Sequence, residues 1–318
     1  MRKWFQQLRS WLEFVKFSHT LFALPFALAA MAVAARENQG WPGARKFGLI
    51  LLAMICARTC AMSFNRIADR HYDALNPRTA KRHLPAGAVS VASAWTLCLG
   101  SGLGLIAASW FINPLCFYLS PVALGVICFY SLTKRFSNYT HVYLGVALAL
   151  APVGAWLAVR GTVVSPREIV AMSLLAVAVI LWLVGFDIIY ALQDYEFDRQ
   201  QGLHSLVVAW GPKNAMVAAF LAHLLMLLFL ALFGVACGFR LAYGGGFLLI
   251  LVCLIFEHWL ARRRSVNWIN NAFFRLNALV SLIFLVVVLA EVVFQGGFRL
   301  RGKKSPPPPA RLSFSIGK

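Results

Sequence analysis

The sequence is short of charge, and above all of acidic residues. Charged residues make up 13% of its 318 positions and Asp and Glu together number only 11, whereas an average soluble protein is about 25% charged. Hydrophobic residues make up 60% of the chain, and no polar stretch between them is long enough to form a domain of its own. These absences exclude a separate soluble catalytic domain. Any chemistry must lie among apolar segments and the loops that join them.

Cysteine is present, but not in the patterns that form common structural sites. Each of the seven cysteines lies inside an apolar run, and none forms a C-x-x-C pair. Isolated thiols in apolar runs behave as small hydrophobic side chains. The sequence therefore predicts neither a disulfide framework nor a cysteine-based zinc site.

The hydrophobic residues are grouped in blocks of about twenty, which is the length that a helix needs to cross a bilayer. The pattern predicts an all-α integral membrane protein. Nine blocks predict nine transmembrane helices, at 17–35, 47–64, 91–112, 114–133, 140–159, 168–190, 214–236, 242–261 and 273–294.

The two ends of the chain differ from the apolar blocks between them. Residues 1–16 place aromatic and aliphatic side chains on one helical face beside basic residues, which predicts an amphipathic helix on the membrane surface. Residues 17–294 form the nine-span domain. Residues 295–318 are basic and contain Pro306 to Pro309, so they predict a disordered tail.

The net charge of +19 would indicate nucleic-acid binding in a soluble protein. Here Lys and Arg are concentrated in short loops between apolar blocks, so we expect no nucleic-acid partner. They are more frequent in the loops on the same side as the N-terminus. The positive-inside rule then predicts that the N-terminus and the loops 65–90 and 191–213 face the cytoplasm. We expect the membrane to be a bacterial inner membrane.

All five aspartates fall in two short segments. In the first segment Asn65, Asp69 and Asp73 recur every four residues, so on a helix they share one face. The second segment contains a similar series at the end of the sixth predicted span, composed of Asp187, Tyr190, Asp194 and Asp198. Both segments lie on the same predicted side of the membrane.

Like charges one helical turn apart repel, and more strongly where water is scarce, so each aspartate series favours a bound cation. Mg²⁺ fits because it binds one or two carboxylates and keeps other positions for water and phosphate. Arg78 and Arg82 follow the first series, and Lys134 and Arg135 end the fourth predicted span on the same side of the membrane. Arg and Lys can hydrogen-bond the remaining oxygens of a magnesium-bound diphosphate.

Two arginines lie inside apolar runs, where a charge is costly in lipid. Arg58 and Arg275 are therefore expected to face the interior of the bundle, and Arg58 is placed to reach the first aspartate series. His19, near the start of the first span, is a candidate substrate contact.

The motifs S-F-N-R-I-A-D-R-H-Y-D-A-L-N-P-R-T and G-F-D-I-I-Y-A-L-Q-D-Y-E-F-D-R-Q-Q-G resemble the two aspartate motifs of the UbiA family of intramembrane aromatic prenyltransferases. The segments K-F-S-H-T-L-F-A-L-P-F and F-Y-S-L-T-K-R-F and the nine predicted spans are also similar. The resemblance implies nine helices around a central cavity. It further implies transfer of a prenyl group from a polyprenyl diphosphate to an aromatic acid.

The resemblance implies a role for each motif residue. Asn65, Asp69 and Asp73 match the first metal–diphosphate site, and Asp194 and Asp198 match the second, so the cofactor is Mg²⁺. Asp187 and Tyr190 match positions near the acceptor or the diphosphate, and Lys134 and Arg135 match a basic pair that contacts the diphosphate.

Two questions stay open at this stage. The implied acceptor is either 4-hydroxybenzoate or a dihydroxynaphthoate, which belong to ubiquinone and menaquinone biosynthesis. Arg66 stands where many family members carry an aspartate, which leaves the first site with one carboxylate fewer. The alternative function is an ion-coupled transporter, in which intramembrane carboxylates would carry the ion.

Overall fold

The computed structural model of the chain describes residues 11, 13–15, 20–262 and 273–300, and helices make up most of these ranges. The long helices are α1 (Thr20–Ala34), α2 (Ala44–Leu75), α3 (Val91–Ile112), α4 (Pro114–Phe129), α5 (Thr140–Arg160), α6 (Pro166–Ala191), α8 (Leu206–Cys237), α9 (Leu241–Arg262) and α10 (Phe274–Leu300). A short helix, α7 (Tyr195–Gln200), precedes α8.

The predicted all-α membrane fold and its nine spans are confirmed. Within the described residues, eight helices are long and apolar enough to cross a membrane, and the apolar part of α1, Phe22–Ala34, is shorter. Each of the nine predicted blocks coincides with one of these nine helices. The length of the hydrophobic blocks is sufficient to predict the spans, because bilayer thickness sets the length of a membrane-crossing helix.

The ends of several helices follow from local sequence. Asn113 separates α3 from α4, and its side chain accepts a hydrogen bond from the Cys116 amide while Pro114 begins the new helix. Ser165 and Glu168 form a capping box at the start of α6. Helix α8 starts at Leu206, earlier than the predicted span at 214–236. It is kinked at Gly211 (φ 74°), where the backbone is non-helical just before Pro212.

The two chain ends lie mostly outside the described residues. In the predicted surface helix at 1–16, residues 11 and 13–15 are described. Phe14 is 1% exposed and packs edge-on against His83, so this part of the segment is seated on the protein. The last span continues as α10 to Leu300, and the rest of the predicted tail falls outside the described residues.

Helix packing brings four chain segments together at one end of the bundle. There α2, α4 and α6 end and α5 begins, so both aspartate motifs and the basic pair share this end, which we call the carboxylate end. Helix α6 packs between α5 and α8, and α1 packs against α5 and α10. The opposite end carries the short loops after α1, α3 and α5.

An apolar cavity of about 220 Å³ lies between α1, α2, α3, α4 and α5. It follows α2 from Ile50 to Ala61, a rise of about 16 Å. Most of its lining is aliphatic, and the polar exceptions include Arg58 and Tyr130. Because Ala61 lies one turn before Asn65, the cavity ends directly beneath the carboxylate end.

Close packing of α6 on α8 requires a glycine at position 185. A Cβ atom there would lie 2.4 Å from the His223 ring and 2.9 Å from the Ala219 carbonyl oxygen. We expect Gly185→Ala to destabilise the fold by about 1–3 kcal/mol, since backbone cannot yield like a side chain. Gly125→Ala is the control, because nothing lies within 4 Å of its Cβ position. Thermal unfolding in detergent measures both, and equal midpoints would contradict this account.

Candidate active site

The first aspartate series lies on the last three turns of α2, as its spacing predicts. The Asn65 side-chain amide donates to Asp69 at 2.9 Å. Asp73 is 6% exposed and accepts a hydrogen bond from Arg82 at 2.6 Å. Arg66 is also buried and lies 3.9 Å from the other oxygen of Asp73, so the arginine that departs from the family pattern faces this carboxylate.

The second series does not share one unbroken helical face. Helix α6 ends at Ala191, a 3₁₀ turn covers Leu192–Asp194, and α7 follows. Asp187 and Tyr190 therefore belong to α6, whereas Asp198 lies on α7. The change of helix type rotates the last two aspartates away from the face that a continuous helix would give them.

Arg78 connects the two series. Its guanidinium donates to both oxygens of Asp194, at 2.9 and 2.5 Å, and to the Tyr190 hydroxyl at 2.9 Å. The Asn76 side chain also donates to Asp194, at 3.1 Å. Burial alone would lower the pKa of Arg78, but its hydrogen bonds to Asp194 and Tyr190 raise it above the usual value. The loop after α2 thus ties the first motif to the second.

The predicted basic pair divides between two partners. Lys134 donates to Asp198 at 3.0 Å, within the carboxylate cluster. Arg135 instead donates to the backbone oxygen of Ala68 at 2.7 Å. Both residues lie in the 3₁₀ helix Tyr130–Arg135, where successive side chains point about 120° apart. Lys134 therefore meets a carboxylate directly, and Arg135 lies against α2 next to Asp69.

The aspartate oxygens of the cluster could bind Mg²⁺ only if an anion such as diphosphate is bound beside them. Among the described residues, no three His, Cys, Asp or Glu side chains converge as a metal site. Three of the aspartates are instead paired with Arg78, Arg82 and Lys134, although one buried oxygen of Asp73 has no hydrogen-bond partner in the described part of the chain. A diphosphate would give these cations an alternative partner and free carboxylate oxygens for a hard cation.

The structure agrees with some of the remaining predictions for Arg58, Arg275 and His19 and not with others. Arg58 lines the apolar cavity, and its Nε is buried without a hydrogen-bond partner among the described residues. Arg275 is exposed, at the start of α10, so the expectation that it faces the interior is wrong. A cation at a helix end can reach water, which removes the reason to bury it. His19 lies outside the described residues.

Sequence patterns missed two residues that contact the motifs. The four-residue spacing of the aspartates assigns no role to Asn76, yet its side chain donates a hydrogen bond to Asp194. His141, at the start of α5, is fully buried, and its Nδ1 lies 2.6 Å from an oxygen of Asp187. A single histidine with no nearby motif gives no sequence signal of its own, so only the packing of α5 on α6 could find it.

The family model described as UbiA prenyltransferase family matches residues 23–289. A 4-hydroxybenzoate octaprenyltransferase from Alcanivorax borkumensis is 34% identical over 228 residues, which cover 71% of this chain and 76% of that protein. A protein of the same name from Francisella tularensis is 26% identical over 291 residues, which cover 91% of this chain and 98% of that protein.

Solved structures give the same result. The apo structure of a UbiA homolog from Aeropyrum pernix K1 is 31% identical, with a TM-score of 0.77 over 86% of this chain and 98% of that one. A UbiA homolog from Archaeoglobus fulgidus bound to GPP and Mg²⁺ is 20% identical with a TM-score of 0.67, over 90% of this chain and 99% of that one, and shows the shared fold. The resemblance seen in the two aspartate motifs is confirmed: this protein is a prenyltransferase that belongs to the UbiA prenyltransferase family.

Proposed function

We propose that the protein transfers a polyprenyl group from a polyprenyl diphosphate to 4-hydroxybenzoate, in a Mg²⁺-dependent step of ubiquinone biosynthesis. The observation that carries this proposal is the Arg78 bridge, which gathers both aspartate motifs at the end of the bundle where the apolar cavity ends. A diphosphate at the carboxylate end would have its apolar chain continue into the cavity. The names of the curated relatives support this acceptor over a dihydroxynaphthoate.

The chain's own cations are placed to hold the diphosphate. Lys134, Arg78 and Arg82 each already contact a carboxylate of the cluster, so short movements would bring them to phosphate oxygens. Arg58 and Asn65 lie where the polar cluster meets the cavity, and they would contact the part of the donor nearest the diphosphate. Positive charge at these positions stabilises the negative charge that develops on the leaving oxygen.

Mg²⁺ bound through Asp69, Asp73, Asp194 and Asp198 would supply a Lewis acid that neutralises the leaving diphosphate. The bond between the allylic carbon and oxygen breaks, and its electron pair leaves with the diphosphate. An electron-rich ring carbon of the acceptor attacks the allylic carbon. The ring proton then passes to a nearby base, for which Asp187 is our proposed residue, with Tyr190 beside it on α6.

The membrane setting completes the proposal. The protein is an integral membrane protein, and the cavity admits a donor whose chain is itself lipid-like. The excess of Lys and Arg in the loops at the carboxylate end supports a cytoplasmic position for that end. In a bacterial inner membrane, water-soluble acceptor and Mg²⁺ would then reach the site from the cytoplasm.

An extraction assay tests the proposal. Membranes that contain the protein are incubated with labelled polyprenyl diphosphate, Mg²⁺ and either 4-hydroxybenzoate or a dihydroxynaphthoate. Labelled product in the organic phase with 4-hydroxybenzoate is the expected result, and chelation of Mg²⁺ should abolish it. Product with the dihydroxynaphthoate alone would contradict the choice of 4-hydroxybenzoate as acceptor, and no product with either compound would contradict both proposed acceptors.

The cavity makes a prediction about donor length. Ala151 of α5 lines the middle of the cavity, so Ala151→Phe should obstruct its far half. We expect turnover of an octaprenyl donor to fall by at least about tenfold while a geranyl donor is still used, because the cost of overpacking falls only on the longer chain. Ala107→Phe is the control, because Ala107 is exposed and lies outside the cavity lining. Equal loss for both donors would contradict this placement of the chain.

A further inference from the structure

The contact between His141 and Asp187 lies beside the carboxylate cluster, and it joins a motif aspartate to a histidine that lies outside the quoted motifs. His141 is the second residue of α5, and its side chain is 0% exposed. Its Nδ1 lies 2.6 Å from Oδ2 of Asp187, whose side chain is 19% exposed. The histidine therefore cannot touch a substrate, whereas the aspartate can.

We propose that His141 is the positioning residue for Asp187, and that it fixes this carboxylate as the acceptor of the ring proton. This inference rests on the proposed prenyl transfer. In that step the C–H bond of the alkylated ring breaks, its electron pair restores the aromatic ring, and the proton binds to Asp187. A carboxylate free to rotate would present its oxygens to the acceptor only part of the time.

Hydrogen-bond chemistry fixes the direction of this contact. An ionised carboxylate only accepts, so Nδ1 of His141 carries the proton and donates it. The other ring nitrogen, Nε2, is buried and has no hydrogen-bond partner among the described residues. Within the described part of the chain, the ring is thus tied through Nδ1 alone. This bond occupies Oδ2 of Asp187, and the carboxylate as a whole stays 19% exposed. In the proposed role, Oδ1 would accept the ring proton.

The packing of α5 on α6 holds the pair together. Gly145, one turn after His141, has its Cβ position 3.0 Å from the Ile180 backbone oxygen and 3.2 Å from Ile180 Cα. Such a close approach of two helix backbones is possible because glycine has no side chain. The two helices are thus held close together, and the 2.6 Å contact between Nδ1 of His141 and Asp187 is direct, with no room for water between the two atoms.

The charge of the neighbouring Lys134 explains why the orientation of Asp187 would need to be fixed. Asp187 lies close enough to Lys134 to act on it electrostatically, and Lys134 in turn bonds Asp198. An untethered Asp187 could turn toward this ammonium group and join the diphosphate cluster as another counter-ion. The His141 bond opposes that turn, and it keeps one carboxylate separate from the four that we assign to the metal.

Three variants separate hydrogen bonding from packing. Asparagine at 141 carries an amide nitrogen near the position of Nδ1, glutamine carries one near Nε2, and phenylalanine keeps the ring volume without a donor. We expect His141→Asn to keep kcat within about threefold of wild type, and His141→Gln and His141→Phe to lose roughly 10- to 100-fold. KM for the polyprenyl diphosphate should stay unchanged in all three, because the histidine acts on the acceptor side.

The opposite pattern would overturn the inference. If His141→Phe keeps wild-type kcat while His141→Asn loses it, the residue only fills space. Wild-type turnover in Asp187→Asn would also overturn it and would leave the proposed function standing, since the metal cluster is untouched. Thermal unfolding of each purified variant in detergent identifies a folding defect, and His141→Asn with intact folding but a 10-fold loss of kcat would count against the proposal.

Discussion

Replacing Asp69 or Asp194 with asparagine is expected to abolish prenyl transfer and leave the protein folded. Each substitution keeps the shape of the side chain and removes one negative charge from the proposed magnesium–diphosphate site. Turnover should fall by at least about 100-fold, because a hard cation loses a carboxylate and the leaving diphosphate loses its charge compensation. The extraction assay with labelled polyprenyl diphosphate and 4-hydroxybenzoate measures the loss.

Glu37→Gln is the matched control for this prediction. It makes the same change from carboxylate to amide, but Glu37 is 84% exposed and lies at the opposite end of the bundle. Its turnover should equal that of wild type. The two aspartates lie on different helices, so loss in both variants would support a shared site. Near-normal, Mg²⁺-dependent turnover in either variant would refute the assignment of that motif.

The positions of the helices could be predicted from the sequence because a bilayer imposes a length on every span. Each predicted block corresponds to one helix, and the predicted boundary between the blocks 91–112 and 114–133 coincides with the end of α3 at Ile112 and the start of α4 at Pro114. The extents of α2 and α8 could not be predicted in the same way. After Phe64 the residues of α2 are mostly polar and carry no hydrophobic signal, yet the helix continues to Leu75. Helix α8 begins at Leu206, before Gly211 and Pro212, which interrupt a regular helical pattern.

The candidate site could be predicted in its parts but not in its connections. Spacing identified both aspartate series, since a repeat of four is a property of one helix. The partners of those aspartates depend on packing between distant segments, as with Arg78 and Asp194 or His141 and Asp187. Lys134 and Arg135 are adjacent in sequence, but their side chains point in different directions from the 3₁₀ helix. Lys134 bonds the Asp198 carboxylate, and Arg135 bonds the backbone oxygen of Ala68.

Substitution of Arg78, which bridges the two aspartate motifs, is expected to have the second large effect on turnover. We expect Arg78→Lys to reduce turnover by roughly 10- to 100-fold although the charge is retained, and Arg78→Gln to reduce it further. A lysine cannot donate to both oxygens of Asp194 and to Tyr190 at once, because its ammonium group is a single point on a flexible stem. Asp194 would keep Asn76 as a partner, so the fold should survive while the connection between the two motifs weakens.

Steady-state kinetics and a double-mutant cycle test this role of Arg78. KM for the polyprenyl diphosphate should rise in both Arg78 variants, since the arginine is also a proposed diphosphate ligand. In the cycle, Arg78→Gln should cost little more once Asp194→Asn is present, because the two side chains act as one unit. Arg45→Gln, an exposed arginine at the opposite end, should leave turnover unchanged. Additive losses at positions 78 and 194 would mean that the bridge has no role in assembling the site. The two residues would then act on the substrate independently of each other.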